Sequence, residues 1–410
     1  MAPRRQTPLA CAIARIDELR KISDSPDGLA RSFLSPANLA AARKIQDWMR
    51  ELGMEISHAP DGSVRGILAG SEPLAKPVLL GSHMDTVIDA GAYDGALGII
   101  AALAAIETLQ NEGISLPFPI HVLAFSDEEG TRFQTTYLGS RSIVAPLDAA
   151  TLAATDAAGI PLADVLRDEG WHTGASTIRY APGECAAYVE LHIEQGRVLE
   201  EAGAPACVVS SIAGQSRLTV ELTGRADHAG TTPMPLRRDA LTGAAACILA
   251  AESLAQSQPP LVITVGKILI HPGASNSIPQ NATFTIDLRH PDDAQRAHAL
   301  ALLHASCLHT ARQRGLEMNW TLVQENNATL CDPNLTEELA KSLAHITGSQ
   351  LILPSGAGHD GVVISKICPI AMLFLRCRDG LSHHPEEFTS PADIGTGIEI
   401  LAHFLKSHRP

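Results

Sequence analysis

Val78-Leu79-Leu80-Gly81-Ser82-His83-Met84-Asp85-Thr86-Val87 opens with a short, fully apolar run and ends on a His-x-Asp triplet. A run of that length and composition reads as a buried strand whose last residue is His83. Asp94-Gly95 follows a loop containing Gly91, and Asp94 to Leu109 has the length and composition of a helix. Ile120-His121-Val122-Leu123-Ala124-Phe125 is a second strand, and it runs into Ser126-Asp127-Glu128-Glu129-Gly130. Tyr188 to Ile193 is a third, delivering His192 within Glu190-Leu191-His192-Ile193-Glu194-Gln195-Gly196. Ile370–Leu375 is another, leading to Ser382-His383-His384-Pro385. Strands alternate with helices, and the polar residues fall at the C-terminal ends of strands, where open α/β sheets bind their ligands. The fold class is α/β.

Those strand ends supply His, Asp, Glu, His and His. Three imidazoles and two carboxylates are the donors that two divalent cations sharing one bridging aspartate require. In His-x-Asp both side chains lie on one side of an extended segment, so His83 can ligate while Asp85 fixes its ring. The glycines around Asp94 let the backbone bring that carboxylate between two cations. Glu128 and Glu129 point in different directions, which suits one as base toward a metal-bound water and the other as ligand. Read alone, the acidic triplet would be a solvated turn and His192 a satisfied core histidine. The triplet ends an apolar strand in register with the other blocks, which favours a dinuclear metallohydrolase, while the bland reading of His192 stays open on the residues alone. In Ser-His-His-Pro either imidazole could ligate.

With 410 residues and 45% hydrophobic content, the chain can hold two domains and a sizeable core. Its net charge of −14 argues against nucleic acid or an anionic membrane surface as partner. The eight cysteines are scattered without a C-x-x-C pair and read as small buried thiols of a reducing compartment. Arg4 and Arg5 are followed too early by Arg15 and Asp17 for a signal peptide. The most apolar run, Ala96 to Ile106, is far short of the roughly 20 residues of a membrane span. A cytoplasmic protein is expected.

From about Ser216 the pattern changes. Arg217–Leu222, Leu261–Ile270, Ala282–Leu288 and Glu317–Val323 read as strands, and Arg238–Leu254 and Asp292–Gln313 as helices. That β-α-β-β-α-β order is that of a ferredoxin-like insertion. The α/β pattern then resumes with a helix over Asn334–Ile346 and ends with one over 391–406. Near the start, Ser35-Pro36 reads as the N-cap and first turn of a helix that Gly53 closes.

The blocks above, with His228-Ala-Gly-Thr-Thr-Pro-Met234 and Gly356-Ala-Gly-His-Asp360, resemble the aminoacylase-like superfamily of dinuclear metallopeptidases. Within it they look most like the amidase/hydantoinase/carbamoylase branch, from about Ser35 to about Leu405. The resemblance implies a discontinuous catalytic domain, 1–212 and 329–410, with a lid and dimerisation domain inserted over 213–328. It implies one metal on His83, Asp94 and His192 and another on Asp94, Glu129 and His383, with zinc or manganese as the two ions per subunit. Glu128 becomes the general base, and His228 a hydrogen-bond donor to the developing oxyanion. Asn276 and Arg289 match positions that hold a substrate carboxylate, Gln195 one that binds the ureido group, and Arg217 one that contacts allantoate. Gly358 also lines the substrate. The implied partners are a small ureido substrate bearing a carboxylate and a second copy of the chain. The implied chemistry is hydrolysis of a terminal ureido group, on allantoate first and on an N-carbamoyl-L-amino acid or ureidopropionate next. A di- or aminopeptidase is disfavoured because His192 stands where peptidases more often place a carboxylate. A non-catalytic binding dimer is disfavoured because neither Glu128 nor any of the five ligands is missing.

Overall fold

The computed structural model describes residues 6–72, 74–168 and 176–409, so Arg4 and Arg5 lie outside the described residues. The chain divides into two compact units. One runs to Ser210 and takes up Cys331–Leu353 and Gly358–Pro410, and the other is Ser211–Leu330 with Pro354–Ala357.

The centre of the first unit is four parallel strands in the order Ile120–Phe125, Val78–His83, Ala187–Ile193, Ile370–Leu375. Nearly every residue in them is buried, because parallel strands are covered on both faces and need apolar side chains on each. Val64–Leu68 and Glu55–His58 extend this sheet antiparallel beside Ile120–Phe125, and Ala206–Ile212 extends it antiparallel beside Ile370–Leu375. Register brings the working ends level, with His83 opposite Phe125 and His192 opposite Phe374.

The predicted helix at Ser35-Pro36 forms as Pro36–Glu51. Ser35 Oγ accepts the Asn38 N–H at 3.1 Å, and Gly53 follows the helix at φ 75°. The helix expected from Asp94 starts instead at Ala96, because Gly95 at φ 63° is outside helical space. That helix, Ala96–Asn111, is apolar on nearly every side and lies within the core among Pro8–Leu19, Pro391–Ser407 and the central strands. Pro8–Leu19 and the strands Glu55–His58, Val64–Leu68 and Ala206–Ile212 are elements that the sequence pattern does not announce.

In the second unit four antiparallel strands stand in the order Glu317–Asn326, Gly214–Thr223, Asn281–His290, Val262–Thr264. Helices Ala240–Ser257 and Asp293–Gln313 supply the two helical connections. Gly214–Thr223 and Asn281–His290 alternate between buried and less buried residues, as a sheet with one covered face requires. The single strand expected over Leu261–Ile270 is two pieces, Val262–Thr264 and Ile268–His271, both paired with Asn281–His290. Three residues, Val265 to Lys267, oppose two, Thr285 and Ile286, and this extra residue breaks the ladder as a bulge does.

Among the described residues no helix is long and apolar enough to cross a membrane. All eight cysteines are free thiols, and seven are buried.

Gly98 lets the core helix approach the sheet just behind both strand-end histidines. A Cβ there would lie 2.3 Å from the Leu191 carbonyl oxygen and 2.8 Å from Ser82 Cβ. Ala is ordinarily the better helix former, but here overpacking dominates and costs about 1–3 kcal/mol. Gly98→Ala should lower the midpoint of thermal unfolding. An unchanged or higher midpoint would show that the helix moves away without penalty.

Candidate metal centre

His83 and His192 end adjacent buried strands, and hydrogen bonds fix both rings. His83 Nδ1 lies 3.2 Å from the Asp85 carbonyl and 3.3 Å from Asp85 Oδ1, and His192 Nδ1 lies 3.0 Å from the Ile193 carbonyl. An Nδ1–H donated in this way leaves the Nε2 lone pair of each ring for another partner. Both Nε2 atoms face Asp94 Oδ1, at 3.7 Å from His83 and 3.2 Å from His192.

Asp94 stands before the core helix because Gly95 has both a positive φ and no side chain. A Cβ on Gly95 would lie 2.4 Å from the His83 ring. The other Asp94 oxygen, Oδ2, is 3.2 Å from His383 Nε2, which is in turn 3.3 Å from Glu129 Oε1. Of the two adjacent histidines, His383 therefore faces the carboxylates. His384 is exposed and accepts the Glu386 N–H at 3.2 Å.

Asp85 does more than orient His83. Its Oδ1 accepts the Glu128 N–H at 3.0 Å and its Oδ2 the Glu129 N–H at 3.2 Å. One fully buried carboxylate thus sets both an imidazole and the backbone of the acidic pair. His83, Glu128 and Glu129 offer donor atoms within 4.8 Å of one another, as do His83, Asp94 and His192, and Asp94, Glu129 and His383. A further buried group, Glu190, His192 and His359, shares His192 with the second of these.

The electrostatics of this cluster call for cations. Burial pushes the Glu128 carboxyl well above its usual range, opposed by His83 and reinforced by Glu129, Asp360 and Asp85. Burial would raise Asp94 too, but the imidazoles of His192 and His383, each 3.2 Å from one of its oxygens, hold it well below the carboxylate range. His383, paired with Asp94 and Glu129, is pushed up to about 10. His192 Nε2 is buried and makes no hydrogen bond. Mixed imidazole and carboxylate donors converging in this way fit a borderline or hard divalent ion such as zinc or manganese. Protons on the imidazoles are the weaker substitute.

Of the residues expected to touch substrate, Gln195 and Gly358 lie in this unit. Gln195, at φ 56°, donates from Nε2 to Asp94 Oδ2 at 3.1 Å and to Ser382 Oγ at 3.2 Å. A Cβ on Gly358 would lie 2.0 Å from the Tyr137 hydroxyl and 3.8 Å from Glu128 Oε1, so only bare backbone fits beside the glutamate. Tyr137, itself at φ 64°, is a neighbour of Glu128 that the sequence reading does not find.

Arg217, His228, Asn276 and Arg289 belong to the second unit, where they form two pairs. The Asn276 carbonyl accepts the Ala229 N–H at 3.0 Å, and His228 bridges to Ser277. His228 Nδ1 accepts the N–H groups of Gly230 and Thr231 at 3.0 and 3.2 Å, so its proton resides on Nε2 as a donor. Arg217 and Arg289 meet on Asp287, which the sequence reading also misses. Asp287 Oδ2 lies 3.2 Å from Arg217 Nε and 3.0 Å from Arg289 Nη2, and Oδ1 lies 2.9 Å from Arg289 Nε.

Residues 79–407 match the peptidase family M20/M25/M40. An allantoate deiminase of Arabidopsis thaliana is 38% identical over 97% of this chain and 82% of its own length. An N-carbamoyl-L-amino acid amidohydrolase of Geobacillus stearothermophilus is 36% identical over 95% of this chain and 96% of its own. The crystal structure of an amidase of the hydantoinase/carbamoylase family from Burkholderia multivorans superposes with a TM-score of 0.92 at 31% identity, covering 98% of each chain. The mixed α/β fold with a cluster of His, Asp and Glu at its strand ends is therefore that of a metal-dependent hydrolase, and the chain belongs to the M20/M25/M40 family.

Proposed function

We propose that the chain hydrolyses a terminal ureido group, R-NH-CO-NH2, taking up one water and releasing R-NH2, ammonia and CO2, with allantoate as its first substrate. The observation that carries this reading is the spare carboxylate Glu128 beside a full set of ligand-type residues, in a chain that is 38% identical to an allantoate deiminase over 97% of its length. An N-carbamoyl-L-amino acid is the second choice, favoured by the likeness to the Geobacillus stearothermophilus enzyme along nearly the whole chain.

His83, Asp94 and His192 would hold one divalent ion, and Asp94, Glu129 and His383 the other. Bound ions of this kind acidify water and polarise the scissile carbonyl. Glu128 takes a proton from the attacking water and passes it to the leaving nitrogen, a task suited to a carboxyl raised from its usual range. The reading gives Asp85 the task of keeping His83 and the Glu128 backbone in place. It makes the second unit the lid and dimerisation domain. There His228 donates from Nε2 to the developing oxyanion, Asn276 and Arg289 hold the carboxylate of the substrate, and Arg217 lies beside Arg289. Gln195 and the Gly358 backbone face the ureido end. Dimerisation is supported by apolar side chains left exposed along the second unit's edge segment, Val262, Ile268 and Leu269.

The purified chain, supplied with Zn²⁺ or Mn²⁺, should release ammonia from allantoate and more slowly from N-carbamoyl amino acids. Glu128→Gln should keep its metal content while turnover falls about 10²–10⁴-fold. Near-normal turnover in that variant would move the base elsewhere, and no ammonia from any ureido acid would sink the assignment.

Arg289→Ala should lower kcat/KM by about 10- to 100-fold, chiefly through KM, because it removes a charge-assisted pair with the carboxylate. A neutral ureide cleaved as well as allantoate by the wild type would refute carboxylate recognition.

In solution at micromolar concentration the chain should have the mass of a dimer. A monomeric mass by light scattering would contradict the proposed role of the edge segment.

A further inference from the structure

The five ligand-type residues are not equally well held. His83 and His192 end buried strands, whereas His383 sits on the loop after Ile370–Leu375, at φ 54° and with 48% of its side chain exposed. Nothing in the strand ladder dictates where that imidazole points.

Glu387, four residues on and only 4% exposed, ties this loop to the segment bearing Asp94. Its Oε1 accepts the backbone N–H groups of Tyr93 at 2.8 Å and Asp94 at 3.0 Å. Its Oε2 accepts the Ser382 hydroxyl at 3.0 Å. Ser382 precedes His383 directly, and its Oγ also lies 3.3 Å from Asp94 Oδ2 and 3.2 Å from the Gln195 amide nitrogen. Gly91 makes room for this arrangement, since a Cβ there would lie 2.3 Å from Glu387 Cβ. One buried carboxylate thus spans two loops nearly 300 residues apart in the chain.

The two sides of this clasp differ in what else supports them. Tyr93 and Asp94 also enter the first turn of the core helix, where Leu97 N–H bonds the Tyr93 carbonyl at 3.0 Å. Their position is thus tied to the helix as well as to Glu387. The exposed His383 lies outside any helix or strand, and its two neighbours are both tied to buried Glu387, Ser382 through its hydroxyl and His384 through its carbonyl, which accepts the Glu387 N–H at 3.0 Å. There is a second asymmetry. The Ser382 hydroxyl has one proton for two carboxylates, Asp94 and Glu387. A divalent ion held by Asp94, Glu129 and His383 would compete for the Asp94 carboxylate and favour the Ser382 proton on Glu387, so loading the outer position would tighten the clasp.

We propose that Glu387 is a positioning residue which, through Ser382, fixes His383 against Asp94 and sets the affinity of the outer metal position, Asp94–Glu129–His383. The inner position, His83–Asp94–His192, depends on it far less. This inference rests on the dinuclear reading above.

The test is calorimetric titration of the full chain, stripped of metal, with Mn²⁺, read as binding stoichiometry and affinity and not as activity. The wild type should bind two ions in distinguishable steps. Glu387→Ala should keep the tighter step and weaken the other by about tenfold or more, the size expected when a group orienting a ligand is removed. It should resemble His383→Ala. Glu387→Gln, whose amide oxygen can still accept the Tyr93 and Asp94 N–H groups, should recover most of the loss. Ser382→Ala empties no buried cavity and should weaken the same step several-fold, so it decides the matter if Glu387→Ala fails to fold. Two wild-type ions with Ser382→Ala and Glu387→Ala binding both as the wild type does, or losing both equally, would overturn this inference alone. A wild type that binds fewer than two would overturn the dinuclear reading on which it stands.

Discussion

Three imidazoles from distant parts of the chain converge on the single carboxylate of Asp94, and the fold is arranged to permit it. His83 and His192 approach one oxygen, while His383 approaches the other. For two of them to meet there, their strands must be parallel neighbours ending at the same level, which the register provides. For Asp94 to reach them, the chain must turn at Gly95, where only a glycine fits beneath the His83 ring. For the core helix to start there and still lie against the sheet, Gly98 must be bare where it meets Leu191. Such a convergence is costly without a counter-ion, because several carboxylates lie out of water around it. A cationic centre offsets that cost.

The parts of this design that are local in sequence are legible in it. An apolar run ending in His-x-Asp announces a strand and what it delivers, and Ser35-Pro36 with Gly53 brackets a helix by capping chemistry alone. The α/β class, with its polar residues at strand ends, follows from alternation; the parallel pairing of the central strands does not. Nor do Glu55–His58 and Val64–Leu68, being short and only partly buried, with too few residues for a period to emerge. The interruption at Val265–Lys267 was hidden for a different reason. A bulge is defined by its partner strand, and that partner lies farther along the chain.

Side chains whose meaning depends on distant partners were likewise silent. Asp287 looks like any strand-end carboxylate until Arg217 and Arg289 are seen on it. Tyr137 gains interest only because its hydroxyl fills the space over Gly358. Glu387 stands beside Glu386 with nothing to distinguish them, yet Glu386 is exposed and Glu387 bonds a loop from the other end of the chain. His383 and His384 were equivalent by residue type, and a backbone twist at His383 separates them. Backbone conformation and partners far along the chain, not composition, distinguish the members of each pair.

The shared aspartate in the second unit has an arithmetic consequence. Arg217 and Arg289 bring two positive charges, and Asp287, held ionised against its burial by Arg289, Gln215 and Arg217, returns one negative charge. What remains is a single positive charge on side chains already paired with one another. A guest with one carboxylate would bring the patch to neutrality, and one with two would overshoot it. Under the carboxylate recognition proposed for Arg289, an acidic side chain among arginines would act as a charge counter, favouring monoanions over dianions of similar shape without any steric contact.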